Sequence, residues 1–438
     1  MRFRSRCFTS NTLPPPPALE RNDESQIIFR ITLRLVPFLF LLYIVAYLDR
    51  INVGFAKLEM LSELHLSEVV YGLGAGIFFA GYFLFQLPSN LILQKVGARR
   101  WITSLMILWG AISCCMIFVR TAHGFYFLRF LLGSAEAGFF PGVIVYLKSW
   151  FPNAARARTI AWFMAAGPLS GVVGGPVSGA ILQWHVGGFL HAWQWLFIME
   201  GAPAILLGCV VLIFLADSPQ KAKWLGDLDR EWLLGVLESE RQSMAIQRGT
   251  LRSAFTRPII WLMVIMYFGI NTCAYGVSLW LPSFIRGFSG MSNFNLGLLS
   301  AVPYILTAIT MILIGTHSDR TGERPLHIAF CAFAGMGGML LSGLTHSLVP
   351  TIIGLSLGLM AVFSMCGPIW SLQTGLTGTA AAAGIAIVNS FGNLGGFFGP
   401  YIIGMVHRQT ALVIIGLIIG LGGCMALIIK FKEQTASG

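Results

Sequence analysis

Residues 33–55 read LRLVPFLFLLYIVAYLDRINVGF. At ~1.5 Å rise per residue a helix of this length crosses about 30 Å of hydrocarbon, so the stretch reads as a first membrane helix. Towards its far end it sets Asp49 beside Arg50. A charge at membrane depth costs roughly 2.5–3.5 kcal/mol on insertion scales, and such residues normally face a protein interior or a wet cavity with partners of their own. The pair is either a functional site or a structural one, ion-paired or snorkelling to the surface.

The rest of the chain agrees with a membrane reading. Of 438 residues, 56% are hydrophobic and 11% charged, with mean hydropathy +0.75. A soluble globule carries about 25% charged residues. The net charge of +11 would suit nucleic acid, but Lys and Arg are scattered through short loops between apolar runs, so the expected surroundings are lipid and no nucleic acid.

Further apolar runs occur at about 69–91, 101–119, 123–146, 158–182 and 194–215, and again at 258–283, 295–316, 325–343, 349–370, 380–405 and 411–430. With the first they make twelve, in two sets of six. The expected fold is all-α and integral to the membrane: twelve transmembrane helices in two six-helix bundles, 31–216 and 258–430. A linker loop, 217–257, joins them, and it is too small for a catalytic domain. Residues 1–30, with Arg2, Arg4, Arg6 and the run Pro14 to Pro17, contain no apolar core of a signal peptide and read as a disordered cytoplasmic tail. Residues 431–438 form a second tail.

With the N-terminus inside, 23 Lys and Arg fall in cytoplasmic segments and four (Lys57, Arg120, Arg286, Arg408) in outer loops. The positive-inside bias predicts a multi-pass protein of the cell (inner or plasma) membrane with both termini cytoplasmic. The eight cysteines lack CxxC or Cys/His spacing and read as packing residues, without disulfides or zinc. The histidines lie mostly in loops or near span ends without ligand spacing. No metal or cofactor is expected.

An internal repeat supports two bundles. GVVGGPVSG (Gly171 to Gly179) in the fifth span matches GGFFGPYIIG (Gly395 to Gly404) in the eleventh, with Pro176 and Pro400 separated by 224 residues. NLILQKVGARR (Asn90 to Arg100) after the second span matches GTHSDRTGER (Gly315 to Arg324) after the eighth, at an offset of 225. The GxxxGP pattern permits close helix approach and a proline bend.

GTHSDRTGER resembles the G-x-x-x-D-R-x-G-x-R loop of the major facilitator superfamily, and the GxxxGP spans resemble its fifth-helix motif. YLDRINVGFA (Tyr47 to Ala56), LRFLLGSAEAGFFPG (Leu128 to Gly142) and NSFGNLGGFFGP (Asn389 to Pro400) are similar to the anion:cation symporter group, in particular its permeases for tartrate, phthalate and hydroxyphenylacetate. The resemblance covers essentially the whole chain after residue 30. It implies gating roles for Gly315, Asp319, Arg320, Gly322 and Arg324, and for Arg99 and Arg100 in the first-half loop. That loop departs from the pattern, with Asn90 for the usual Gly and Gln94 for the usual Asp, which leaves Asp319 as the acidic part of the gate. The alternative is a basic turn that only obeys topology.

Arg129 lies six residues into the fourth span, about 9 Å down, and Glu136 thirteen residues in, about 20 Å. The two are i and i+7 on one helical face. Asp49 lies near Arg129's depth, and Asp49, Arg50, Arg129 and Glu136 together resemble the group's coupling residues. The resemblance implies proton coupling by Asp49 and Glu136 and anion binding by Arg50 and Arg129. A guanidinium fork suits a carboxylate. Glu200, in FIMEGAP, reads as a structural residue bonding helix ends.

Short of Lys430 at the very end of the last, the apolar runs of the second set hold no Asp, Glu, Lys or Arg. They offer Asn271 and Tyr275 in the seventh span, Trp370 and Ser371 in the tenth, and Asn389 and Asn393 in the eleventh; Tyr82 and Gln86 lie one turn apart in the second. Each is either a cavity residue or interhelical glue. The expected function is proton-coupled uptake of a small organic carboxylate, tartrate-like or aromatic, by a monomeric secondary transporter working through alternating access. The alternative is a facilitator or exporter of a sugar or drug. An enzyme should show a nucleophile with its base or a metal-ligand cluster, and a receptor a sizeable domain outside the membrane; the sequence shows neither.

Overall fold

The structure is a computed structural model that describes residues 21–184, 189–244, 255–288, 290–377 and 381–437. Its helices are α1 (Arg21–Glu63), α2 (Glu68–Val96), α3 (Ala98–Cys115), α4 (Ala122–Glu136), α5 (Phe139–Lys148), α6 (Asn153–Met164), α7 (Ala166–Gln183) and α8 (Ala192–Phe214). There follow α9 (Asp227–Met244), α10 (Pro258–Arg286), α11 (Asn293–Thr321), α12 (Arg324–Leu344), α13 (Leu348–Thr377), α14 (Ala381–Asn393), α15 (Gly395–Met405) and α16 (Arg408–Ser437). The described residues contain eleven continuous stretches apolar and long enough to cross a membrane. The remaining span of the twelve expected is α14 followed by α15. The start of α1 and the end of α16 mark one face, here the terminal face; the other is the distal face.

Three spans are broken near mid-depth, two of them just before a proline and the third among glycines. A proline withholds its donor from the carbonyl four residues earlier. Pro141 frees Ala137, where α4 gives way to α5, and Pro168 frees Met164, where α6 gives way to α7. The break between α14 and α15 falls at Leu394, among Gly392, Gly395 and Gly396, and Asn271 of α10 donates to the Gly392 carbonyl beside it at 3.2 Å.

Two expectations are corrected. The tail expected through residue 30 is helical from Arg21 onward, with Ile27, Ile31 and Leu35 buried at i, i+4 spacing; residues 1–20 lie outside the described residues. Likewise α16 runs on past residue 430 to Ser437. The linker, expected as a loop, contains α9, which docks on the first bundle. Asp229 pairs with Arg30 at 3.1 Å, Trp232 donates to Glu24, and Trp224 stacks on Trp150 with ring centroids 5.5 Å apart. A segment this polar orders because its aromatic side chains find an apolar bed at the terminal end of α1 and α5.

The two GxxxGP spans pack against the opposite bundle at the distal face. A Cβ on Gly175 of α7 would stand 2.5 Å from the Gly297 carbonyl oxygen of α11, and one on Gly72 of α2 would stand 2.7 Å from the Pro400 carbonyl oxygen of α15. The small residues thus form a seam between bundles, where backbones approach closely.

Candidate functional site: a cavity between the bundles

A cavity of about 960 Å³, its open mouth included, lies between the bundles. Arg50, Phe79 and Tyr275 form its floor at mid-span, and Met164, Met311 and Trp370 line it nearer the terminal face. The distal side is closed. Glu68 of α2 accepts from Arg408 of α16 at 2.5 Å and pairs with Lys57 at 3.5 Å, while the Lys57 ammonium sits 3.3 Å from the Trp280 ring centroid. Tyr71 donates to the Leu279 carbonyl at 2.8 Å, and Asn293 of α11 donates to Glu59 and to the Leu182 carbonyl of the first bundle. The sequence shows Lys57 and Arg408 only as outer-loop cations; their shared partner Glu68 is 340 residues from Arg408, and no local spacing reveals it.

The floor is built by Arg50. Its Nη2 donates to Glu136 Oε2 at 2.7 Å and its Nε to the same oxygen at 3.1 Å, while Nη1 reaches the Tyr275 hydroxyl at 2.9 Å. The guanidinium lies 5.5 Å from the Tyr82 ring centroid and 5.4 Å from that of Phe78. Arg129 is fully buried on the other side, 4.8 Å from the Phe78 ring, and among the described residues none of its nitrogens has a hydrogen-bond partner.

Of the residues expected in the site, Arg50, Tyr82, Asn271, Tyr275, Trp370, Asn389 and Asn393 line the cavity. Asn271 spends its amide donor on Tyr267 and Gly392 carbonyls, and Asn393 donates to Asn389 at 3.3 Å. Gln86 is buried outside the lining, and Ser371 lies beyond it. Glu136 pairs with Arg50, while Arg129, on the same helical face, stands about 10 Å away along the axis. Two placements differ from the sequence reading. Arg129 lies behind Phe78 and away from the cavity. Asp49 points into the first bundle, where its Oδ1 accepts from Ser113 at 2.8 Å, because adjacent residues on a helix point about 100° apart. The sequence reading also passed over Tyr43, Tyr47 and Tyr267, which line the cavity; Tyr43 and Tyr47 lie two turns and one turn before Arg50, a signal present in the sequence.

At the terminal face Asp319 accepts from Arg324 at 2.9 Å, and Glu323 pairs with Lys430. Gly322 caps α11 with φ +71°, a left-handed conformation that favours glycine, whereas Gly315 has open space around it. Arg99 pairs with Asp217 at 3.2 Å within the first half, Arg100 is exposed, and Arg320 is exposed beside Asp319. These contacts tie each loop to its own half of the molecule, and none of them spans the terminal side of the cavity.

Residues 39–400 match the Major Facilitator Superfamily. The chain belongs to this superfamily. A protein of Agrobacterium vitis named "Putative tartrate transporter" is 46% identical over 419 residues, 94% of this chain and 96% of its own. The "Quinolone resistance transporter" of Acinetobacter baumannii is 39% identical over 90% of this chain and 91% of its own. Among solved structures, a bacterial homolog of the human lysosomal transporter Spinster, inward-facing and occupied, superposes with a TM-score of 0.72 at 15% identity, covering 90% of this chain and 96% of that one; at that identity the likeness is one of fold. As a member of the superfamily the chain is a multi-pass membrane transporter, with two pseudo-symmetric bundles and a substrate-sized cavity between them.

Proposed function

We propose that the protein carries a small organic carboxylate together with protons across the bacterial inner membrane, as a monomer with both termini cytoplasmic. The observation that carries this reading is the buried Arg50–Glu136 pair at the cavity floor. An arriving carboxylate competes with Glu136 for the Arg50 fork, and Glu136, deprived of its cation at a site with little water, takes up a proton. Anion and proton then move together. With the termini inside, the structure stands open to the cytoplasm and closed outside. Arg129, a buried cation without a hydrogen-bond partner, is costly in this state, and its pairing with the anion when the distal side opens would offset that cost.

The name of the relative from Agrobacterium vitis favours a dicarboxylate such as tartrate. A second reading, export of an aromatic drug, is favoured by the name of the Acinetobacter relative and by the aromatic rings of Tyr43, Tyr47, Phe79 and Tyr267 around the cavity. Uptake of radiolabelled mono- and dicarboxylates into vesicles under an imposed pH gradient tests the proposal. Faster accumulation than in empty vesicles is expected for at least one carboxylate; carboxylates moving no faster than in empty vesicles, with a fluoroquinolone pumped outward, would establish the second reading instead.

A further inference from the structure

The first bundle holds a second polar cluster, apart from the cavity. Asp49 and Asn52 of α1, Ser113 of α3, Ser178 of α7 and Glu200 of α8 are each at most 4% exposed. Ser113 and Asn52 donate to Asp49 Oδ1 at 2.8 and 3.4 Å, and Ser178 donates to Glu200 Oε1 at 2.6 Å. Asn52 and Asp49 both lie near Glu200. Gly201 packs against Ser113, which draws α8 onto α3 beside them.

Three oxygens in this cluster, Asp49 Oδ2, Asn52 Oδ1 and Glu200 Oε2, are buried without a hydrogen-bond partner. Among the described residues neither carboxyl forms an ion pair, and the titratable groups around the cluster are Asp49 and Glu200 themselves, with Glu136, Cys114 and the Arg129 guanidinium beyond Asp49. Buried carboxylates without cations are costly, and an amide oxygen without a donor adds to the cost. A proton on Glu200 removes its buried charge and adds an O–H donor to a cluster whose amide oxygen lacks one. We propose that Glu200 is a proton-binding residue, linked through Asn52 to Asp49, forming a second proton site separate from the Arg50–Glu136 pair. This rests on the transport reading only for its consequence, that the second proton counts in coupling.

Infrared difference spectroscopy of the purified full chain tests the site without any substrate. A protonated-acid carbonyl band is expected near neutral pH, lost in Glu200→Gln and displaced in both Asp49→Asn and Asn52→Ala, the last of which keeps both carboxyls should Glu200→Gln fail to fold. A band untouched by Glu200→Gln, or indifferent to Asn52→Ala, overturns the proposal. In vesicles, the number of protons moved per carboxylate should fall in Glu200→Gln; an unchanged ratio overturns its part in coupling. If the wild-type protein moves no carboxylate, the transport reading falls, while the infrared result still decides whether Glu200 binds a proton.

Discussion

Arg50 Nη1 and the Tyr275 hydroxyl meet at 2.9 Å, a hydrogen bond that joins the two bundles at the floor of the cavity. The same guanidinium holds Glu136. One side chain therefore links the only buried ion pair of the cavity floor, among the described residues, to the half of the molecule whose spans offer neutral polar groups. Any anion that takes Arg50 changes both contacts at once.

Arg50→Lys keeps the charge and loses the planar fork. Hydrogen bonds to charged groups contribute about 1.5–3 kcal/mol, so the apparent affinity for carboxylate should weaken on the order of 10- to 100-fold. Concentration dependence of uptake measures this, and a near-normal value would make Arg50 a structural residue.

Glu136→Gln imitates the protonated carboxyl permanently. The variant should still exchange labelled for unlabelled substrate across the membrane while failing to accumulate it when only a pH gradient is applied. Full gradient-driven accumulation would leave Glu136 with no part in coupling.

Glu68→Gln removes the carboxylate shared by Lys57 and Arg408 at the distal face. Partly exposed pairs contribute up to about 1 kcal/mol, so the ratio of distal-open to distal-closed molecules should rise by about fivefold at most. Spin labels on α2 and α16 at that face report the separation; an unchanged distance distribution would remove the latch from the gating cycle.

Gly175→Ala drives a methyl into the backbone of α11, where the Gly297 carbonyl cannot move aside as a flexible side chain would. Overpacking costs about 1–3 kcal/mol, and here it falls on the distal-closed state, which should lose population by roughly 5- to over 100-fold. Labelling of a single cysteine on the distal side of the seam should speed up, and that on the terminal side slow down.

Asp319→Asn weakens the tie to Arg324 at the terminal face. Accessibility of cysteine probes on the two faces should shift in opposite directions, with substrate affinity retained. Equal labelling of wild type and variant on both faces would reduce the loop to a topological turn.

The sequence alone determined the spans, their pairing into two halves and the presence of charge at membrane depth. These follow from local physics: an apolar run long enough to cross lipid must be helical, and a duplicated spacing survives as a duplicated fold. Arg50, Glu136 and Tyr275 were each legible as candidates for the same reason. Which arginine holds Glu136 was decided by tertiary structure, because helical periodicity specifies a face and a depth but not which neighbouring helix supplies the partner there. Asp49 shows the same limit in reverse: one residue from Arg50 in the chain, it belongs to a different environment because successive side chains diverge around the helix axis. The distal latch and the docking of α9 joined residues far apart in sequence, Glu68 with Arg408 and Trp224 with Trp150. Such contacts exist only once the bundles have packed, so the state of the cavity, closed on one face and open on the other, was written in the tertiary structure and not in any stretch of the chain.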